Sequence, residues 1–459
     1  MSNARNLFAP LDAWHRVEYA LLLVVAGVLP FSWHIAYYVL LALLLWAIVI
    51  AVKERKVGNG NLTLWSKIGF AAMALLPAIY TLSLLYTENM TEGKAEVNKI
   101  LLFAAFPLLM CLFDWRWHKR NHLFGLLQVM ATAVVVRFLW RAIVLIVNFS
   151  SGAVDVHAFT GVRFDPMHHS YLSMYILLAL AYIAYRLLNL KPRTSQQKPY
   201  QHSTLPKASA MEACLHCQAK ETSFAKRKTF NYQPLICLLF ATYLLALVAD
   251  LFLVQSRAGI LGFVIMFLGF AIVLIARYKR YLVGSLMIVL LLGSIGATLL
   301  LIPNSHHRLL STVENALARN YSDDRYAITH AAVSVIEENM PFGVGAGDRI
   351  DVLTQRYDAL GATKLYWRHY NPHNQFLDTL LATGIPGLLI LLTVFVSPAI
   401  GCLRSRNYLF LTFLLIVVLS ALFESIFERQ MGITFFCFFF SLMAGSNWRT
   451  TNNETIENT

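Results

Sequence analysis

Charge is scarce in this chain. Of 459 residues only 14% are Asp, Glu, Lys or Arg, while 58% are hydrophobic. That balance excludes an ordinary soluble domain and a disordered one, and it places the chain among polytopic membrane proteins. Cysteine is scarce too. The six cysteines lie in or beside apolar segments and define no disulfide framework. Cys214-Leu215-His216-Cys217 is a lone CxxC without the second pair of a zinc ribbon. The first residues lack a basic region followed by a small-residue cleavage site, so no removed signal peptide is expected. No repeat with a period of roughly 20–50 residues is evident.

What is present is a series of apolar runs punctuated by basic clusters. The runs read as spans over Val17 to Leu29, Ile35 to Val52, Ile68 to Tyr86, a segment ending near Phe113, His122 to Phe149 and Tyr171 to Leu190. They continue over Leu235 to Val254, a segment ending near Ala276, Tyr281 to Ile302, a segment kinked at Pro386 and ending near Val396, Tyr408 to Phe423, and Gly432 to Met443. The expected fold is all-α, a transmembrane helical bundle of about twelve spans forming a single domain over residues 1–459. The clusters at Lys53 to Lys56, Arg116 to Arg120, Arg277 to Arg280, and Arg404 with Arg406 all fall on one side. By the positive-inside rule that side, with both termini, is cytoplasmic. The net charge of +13 is therefore topology, and nucleic acid is not expected as a partner.

Two long loops carry the remaining information. Residues 191–234, with Lys191, Arg193, Lys226, Arg227 and Lys228 among Ser, Gln and Pro, read as a flexible basic cytoplasmic loop. Residues 303–372 form the largest external loop. Within it Ser322-Asp323-Asp324 caps a helix from Arg325 to Glu338. Its apolar face of Ile328, Ala331, Ala332, Val335 and Ile336 is expected to lie on the membrane surface. Gly343 to Asp348 read as a flexible turn before a short helix, Asp348 to Leu360. Thr87 to Asn98 read as a mixed-charge loop, and Glu424 to Gln430 as a short external turn.

The chemistry gathers at Asn371-Pro372-His373-Asn374, where the external loop re-enters the membrane. Asn371 suits a helix cap and Pro372 the first helical position. His373 would then sit in a first turn whose free N–H groups and dipole attract anions and favour a neutral imidazole. The same topology puts Arg163, Arg257 and Arg325 on the external side from three further segments. Arg137 and Arg141 lie one turn apart within an apolar span, where a guanidinium costs ~2.5–3.5 kcal/mol and needs a cavity, a partner or an interface. Arginine's planar donors match phosphate oxygens and keep their charge. Several arginines, a helix start and a base at a membrane surface fit a lipid-linked diphosphate. The Gly343 to Gly347 run is not a nucleotide loop, since it follows a helix and lacks Lys-Ser/Thr. Asp323, Asp324 and Asp348 read as cap and surface residues, so no metal site and no cofactor is expected.

Ser256-Arg257-Ala258-Gly259, Asp324-Arg325 opening a helix before Pro341-Phe342-Gly343-Val344-Gly345, Pro372-His373-Asn374-Gln375-Phe376-Leu377 and Gly384-Ile385-Pro386-Gly387-Leu388 occur in that order. The pattern resembles the O-antigen ligase and polymerase superfamily of bacterial inner membranes, most closely an O-antigen ligase, and is sharpest from about residue 255 to 390. The resemblance implies a metal-independent, inverting glycosyltransferase using a glycan on undecaprenyl diphosphate as donor. It implies His373 as base and Arg257 and Arg325 as diphosphate ligands. Arg163 and Arg141 are further candidates and Asn374 a supporting residue. Arg163 departs from the family pattern, because Met167-His168-His169 stands where an Asn-rich segment would be expected. The implied acceptor is a lipid A core sugar at the periplasmic face. Polymerisation of repeat units and transfer to a protein hydroxyl are the alternatives within the superfamily. A secondary transporter or lipid-linked sugar flippase is the alternative of another class, but transporters concentrate ionisable groups near the bilayer midplane.

Overall fold

The computed structural model describes residues 13–54, 62–112, 120–150, 167–188, 233–254, 256–276, 279, 281–301 and 324–445. All regular elements among them are helices. They are α1 Ala13–Val28, α2 Trp33–Glu54, α3 Leu64–Ser83, α4 Met90–Ile100, α5 Leu102–Leu112, α6 Arg120–Ser150, α7 His169–Leu188 and α8 Gln233–Val254. The chain continues with α9 Arg257–Ala276, α10 Tyr281–Leu301, α11 Asp324–Glu338, α12 Arg349–Ala359, α13 Thr363–Arg368, α14 Gln375–Ser405, α15 Tyr408–Phe423 and α16 Gln430–Gly445. Among the described residues, five helices are long and apolar enough to cross a membrane: those within α2, α3, α6, α9 and α14. Shorter apolar helices include α15 and α16.

Two helices form the centre of the bundle. The α7 run from Ser170 to Ile183 and the α16 run from Gly432 to Gly445 are buried on every face, as expected of helices hydrophobic all round. Phe435, Phe436 and Phe439 of α16 interlock with Phe413 of α15, Phe395 of α14, Phe103 of α5 and Tyr175 of α7 through stacked, tilted and edge-on ring contacts. The outer helices present the opposite pattern. Tyr38, Leu45 and Val52 of α2 and Leu282, Val289 and Leu292 of α10 are exposed. Large apolar side chains facing outward from helices of this length require lipid around them.

Three expectations change. The charged stretch from Thr87 to Asn98 is not a loop but contains α4, capped by Asn89, whose side chain accepts from the Glu92 amide. The apolar face of α11 does not rest on the membrane. Ile328, Ala331, Ala332, Val335 and Ile336 are buried with Leu353 and Tyr357 of α12, Leu365 of α13 and Leu381 of α14, so protein supplies the cover that lipid was expected to give. The glycine run Gly343 to Gly347 is no flexible turn. Val344 N donates to Leu381 O at 2.8 Å and Gly345 N to Ala382 O at 3.2 Å. Gly345, at φ +100°, lies so close to Thr87 that a Cβ would meet its Oγ1 at 2.3 Å.

The bend in α14 positions the site. It falls at Gly384, whose φ of 66° and ψ of −160° interrupt the helix, two residues before the proline that marked the kink in sequence. The Phe376 and Phe395 ring centroids are 6.2 Å apart. In a straight helix those positions would be separated by ~28 Å along the axis. Residues 375–383 therefore turn back over the end of the bundle instead of prolonging the spanning part of α14. That turn brings Asn374 against the end of α15, where its side-chain amide donates to Leu422 O at 3.3 Å.

Candidate active site

His373 does not lie in the first turn of the helix. Asn374 is the cap, its side chain accepting from the amides of Phe376 and Leu377 at 2.9 and 3.2 Å. His373 stands just before it with a left-handed backbone, φ 47°. Asn371, read as the cap, holds that conformation by accepting from His373 N at 2.9 Å. Such Asn side-chain-to-backbone turns are a local alternative to helix. The helix amides are thus already satisfied, and the dipole is not what governs the imidazole.

A carboxylate governs it. His373 Nδ1 lies 2.9 Å from Glu424 Oε1, with the two side chains 28% and 14% exposed. Glu424 caps the end of α15, one residue after that helix stops. Burial alone would raise its pKa, but the hydrogen bond and charge of His373, with His168 and His169 beside it, hold it below the usual glutamate value. Glu424 is therefore an acceptor for the Nδ1 proton, leaving Nε2 as the ring's basic nitrogen. The pKa of His168 is lowered as well, in its case by burial and by His169 next to it, to about 4, which keeps the ring neutral.

These groups line one cavity of about 690 Å³. His168, Tyr370, Asn371, His373 and Glu424 form part of its wall, with Lys99, Arg368 and Arg429 as its cations and Trp33 from the start of α2. Every one of those residues falls on loops or helix ends that the charge pattern assigned to a single side of the membrane. The arginines read from sequence arrive from different directions. Arg325 is exposed at the start of α11, its guanidinium 5.8 Å from the Phe423 ring, the residue preceding Glu424. Arg257 opens α9, and a line of hydroxyls ties that helix start to the dyad. Ser256 Oγ accepts from Gly259 N at 3.2 Å, Ser173 Oγ lies 3.1 Å from Ser256 Oγ and 2.8 Å from Ser170 O, and Ser170 Oγ lies 3.5 Å from Glu424 Oε2. Arg141 is not at the cavity wall but paired with Asp250 of α8 at 3.0 Å, inside the bundle and beside Arg137. Arg163 lies outside the described residues.

The sequence reading missed a second polar cluster below the dyad. Arg349 is buried, its side chain 2% exposed, with Nη1 2.5 Å from Asp378 Oδ1, Nη2 2.9 Å from Glu96 Oε1 and 3.8 Å from Glu428 Oε1. Burial works against its charge, yet those three carboxylates push its pKa above the usual arginine value. Glu428 in turn accepts from the Asn371 side chain. Next along the chain, Asp348 accepts from the amides of Glu88 and Asn89 at 2.8 and 2.7 Å, so it anchors α4 instead of facing solvent. Asp324 pairs with Lys364. Among the described residues no group of three or more His, Cys, Asp or Glu is arranged to hold a metal ion.

Fold and site together define a membrane-embedded helical protein that keeps His373 and its carboxylate partners at one end of the bundle. Residues 242–392 match the family described as O-antigen ligase. The match supports glycan transfer of the ligase or polymerase type, which in that family implies a lipid-linked glycan donor and a glycan acceptor. No curated protein matches the chain. The matched window contains Arg257, Arg325 and His373; Glu424 lies beyond it.

Proposed function

We propose that this protein transfers a glycan from undecaprenyl diphosphate to a sugar hydroxyl of lipid A core at the periplasmic face of a bacterial inner membrane. The observation that carries the reading is the His373–Glu424 pair on the cavity wall, with the Arg325 guanidinium near the ring of Phe423, the residue before Glu424. His373, holding its Nδ1 proton against Glu424, takes the hydroxyl proton on Nε2 as the acceptor oxygen bonds to the anomeric carbon. The bond from that carbon to the diphosphate oxygen breaks as the new one forms, and the diphosphate leaves with the electron pair, inverting the centre. Glu424 stabilises the imidazolium that results. Arg257 and Arg325 offset the charge growing on the diphosphate, with Arg163 a further ligand from its own loop. Arg141, paired with Asp250 inside the bundle, takes no part in this step. Asn374 sets the backbone beside the base. A diphosphate leaves readily, so the scheme needs neither a metal nor a general acid.

The test is transfer by the purified full-length protein in nanodiscs, with an undecaprenyl-diphosphate-linked oligosaccharide as donor and O-antigen-free lipopolysaccharide as acceptor. His373→Ala should lower turnover by roughly 10²–10⁴-fold. Full activity in that variant would remove the base from the mechanism. Products in which the donor chain lengthens without attachment to lipopolysaccharide would move the assignment to polymerase.

A further inference from the structure

We propose that Arg349 is a positioning residue for this reaction: through Glu428 and Asn371 it fixes the backbone of His373, and through Asp378 it fixes the bent start of α14, so that the imidazole meets Glu424. The proposal rests on His373 acting as the base. It concerns a residue that touches neither the cavity nor its contents.

The connections run in sequence. Arg349 Nη2 faces Glu428 Oε1 at 3.8 Å, Glu428 accepts from the Asn371 amide, and Asn371 Oδ1 accepts from His373 N at 2.9 Å. Arg349 Nη1 meets Asp378 Oδ1 at 2.5 Å in the first turn of α14, one turn past the Asn374 cap. Two further contacts close the frame on the bundle side. Glu96 Oε1 accepts from Arg349 at 2.9 Å and from Lys99 at 2.6 Å, and Phe427 N donates to Gln375 Oε1 at 2.6 Å. His373 is thus held from two sides by one turn of chain: Glu424 takes the ring and Glu428, by way of Asn371, takes the backbone.

Two physical arguments distinguish this from mere fold stabilisation. A buried cluster with three carboxylates around one guanidinium is an inefficient way to hold helices together, because apolar packing of equal volume generally serves as well. What an arginine adds is geometry, since its rigid fork can engage several carboxylates at once while a lysine offers a single point charge. The second argument is the left-handed backbone of His373, which a non-glycine residue adopts only where surrounding contacts over-determine it. Asn371 supplies that contact, and Glu428 is what keeps Asn371 in place.

The experiment compares Arg349→Lys, Glu428→Gln and Glu428→Ala in the same full-length protein in nanodiscs, with the same oligosaccharide donor and lipopolysaccharide acceptor. Positioning predicts that Arg349→Lys lowers kcat by about tenfold or more, with both KM values within about twofold, because substrate contacts are untouched. Glu428→Gln, which still accepts from Asn371, should retain several times more activity than Glu428→Ala. Thermal unfolding of each variant reports folding separately. Should Arg349→Lys fail to fold, the Gln and Ala comparison at Glu428 decides alone. Equal losses at Glu428 for Gln and Ala, or a raised KM without a fall in kcat, overturn the proposal. If His373→Ala is inactive while Arg349→Lys turns over like the parent, the positioning role falls and the base assignment stands; if His373→Ala is active, the base assignment itself has failed.

Discussion

Glu424→Gln is the sharpest probe of the dyad, because it keeps the side chain's shape and removes only its charge. The pair is mostly out of water, with 28% and 14% of the two side chains exposed, so the ~0–1 kcal/mol typical of surface pairs does not apply. A hydrogen bond to a charged group contributes ~1.5–3 kcal/mol, and here the charge matters most when His373 becomes an imidazolium. If that whole difference appears in the transition state, kcat falls roughly 10- to 150-fold while KM stays constant. Removing the imidazole altogether should cost more, and the two changes should not add: without a base, the carboxylate has nothing to orient. Initial rates for the parent, each single variant and the double variant complete the cycle. Losses that multiply in the double variant would refute the dyad, as would a Glu424→Gln enzyme with the parent's kcat.

Other consequences follow from the surrounding structure. Gly384→Ala places a Cβ 2.0 Å from Pro341 O at a φ of +66°; a loss of about 3 kcal/mol or more in stability is expected, read as a lower unfolding temperature of the purified protein. Stability should also decline as pH falls from about 6.5 toward 4. His168 has its pKa lowered from 6.5 to about 4 and Glu424 has its own lowered, so both contribute fully above their unfolded values and lose that contribution as protons bind. Partial exposure of His168 limits its share to about 2 kcal/mol, and His168→Asn should flatten the upper part of the pH curve of thermal unfolding.

Much of the fold was legible because membrane helices announce themselves by apolar runs of fixed length between basic clusters. The α15 limits, Tyr408 to Phe423, coincide with those read from sequence. His373 was legible for a different reason, as a titratable group beside Pro and Asn where a polar loop meets an apolar helix. Glu424 was not, because an acid in a short turn looks the same whether it faces solvent or a histidine brought to it from another segment. Arg349 was hidden by its helix: the α12 sequence, rich in charge, reads as solvated, and only tertiary packing against α4 and α14 buries the guanidinium. The α4 helix was missed because its many charged residues made it read as a loop, and its anchor, Asp348, lies far away in the chain. The apolar face of α11 was read correctly as a face, and the error was in what covers it. Local periodicity says that a surface must be buried and leaves open whether lipid or protein buries it.

The turn between α15 and α16 supplies both glutamates that hold His373, and it lies outside the matched residues 242–392. The working unit is therefore discontinuous in the chain. A chimaera that moved residues 242–392 into a different helical bundle would carry His373, Arg257, Arg325 and Arg349 but neither glutamate. Swaps between relatives should exchange function only when the last two helices travel with that window.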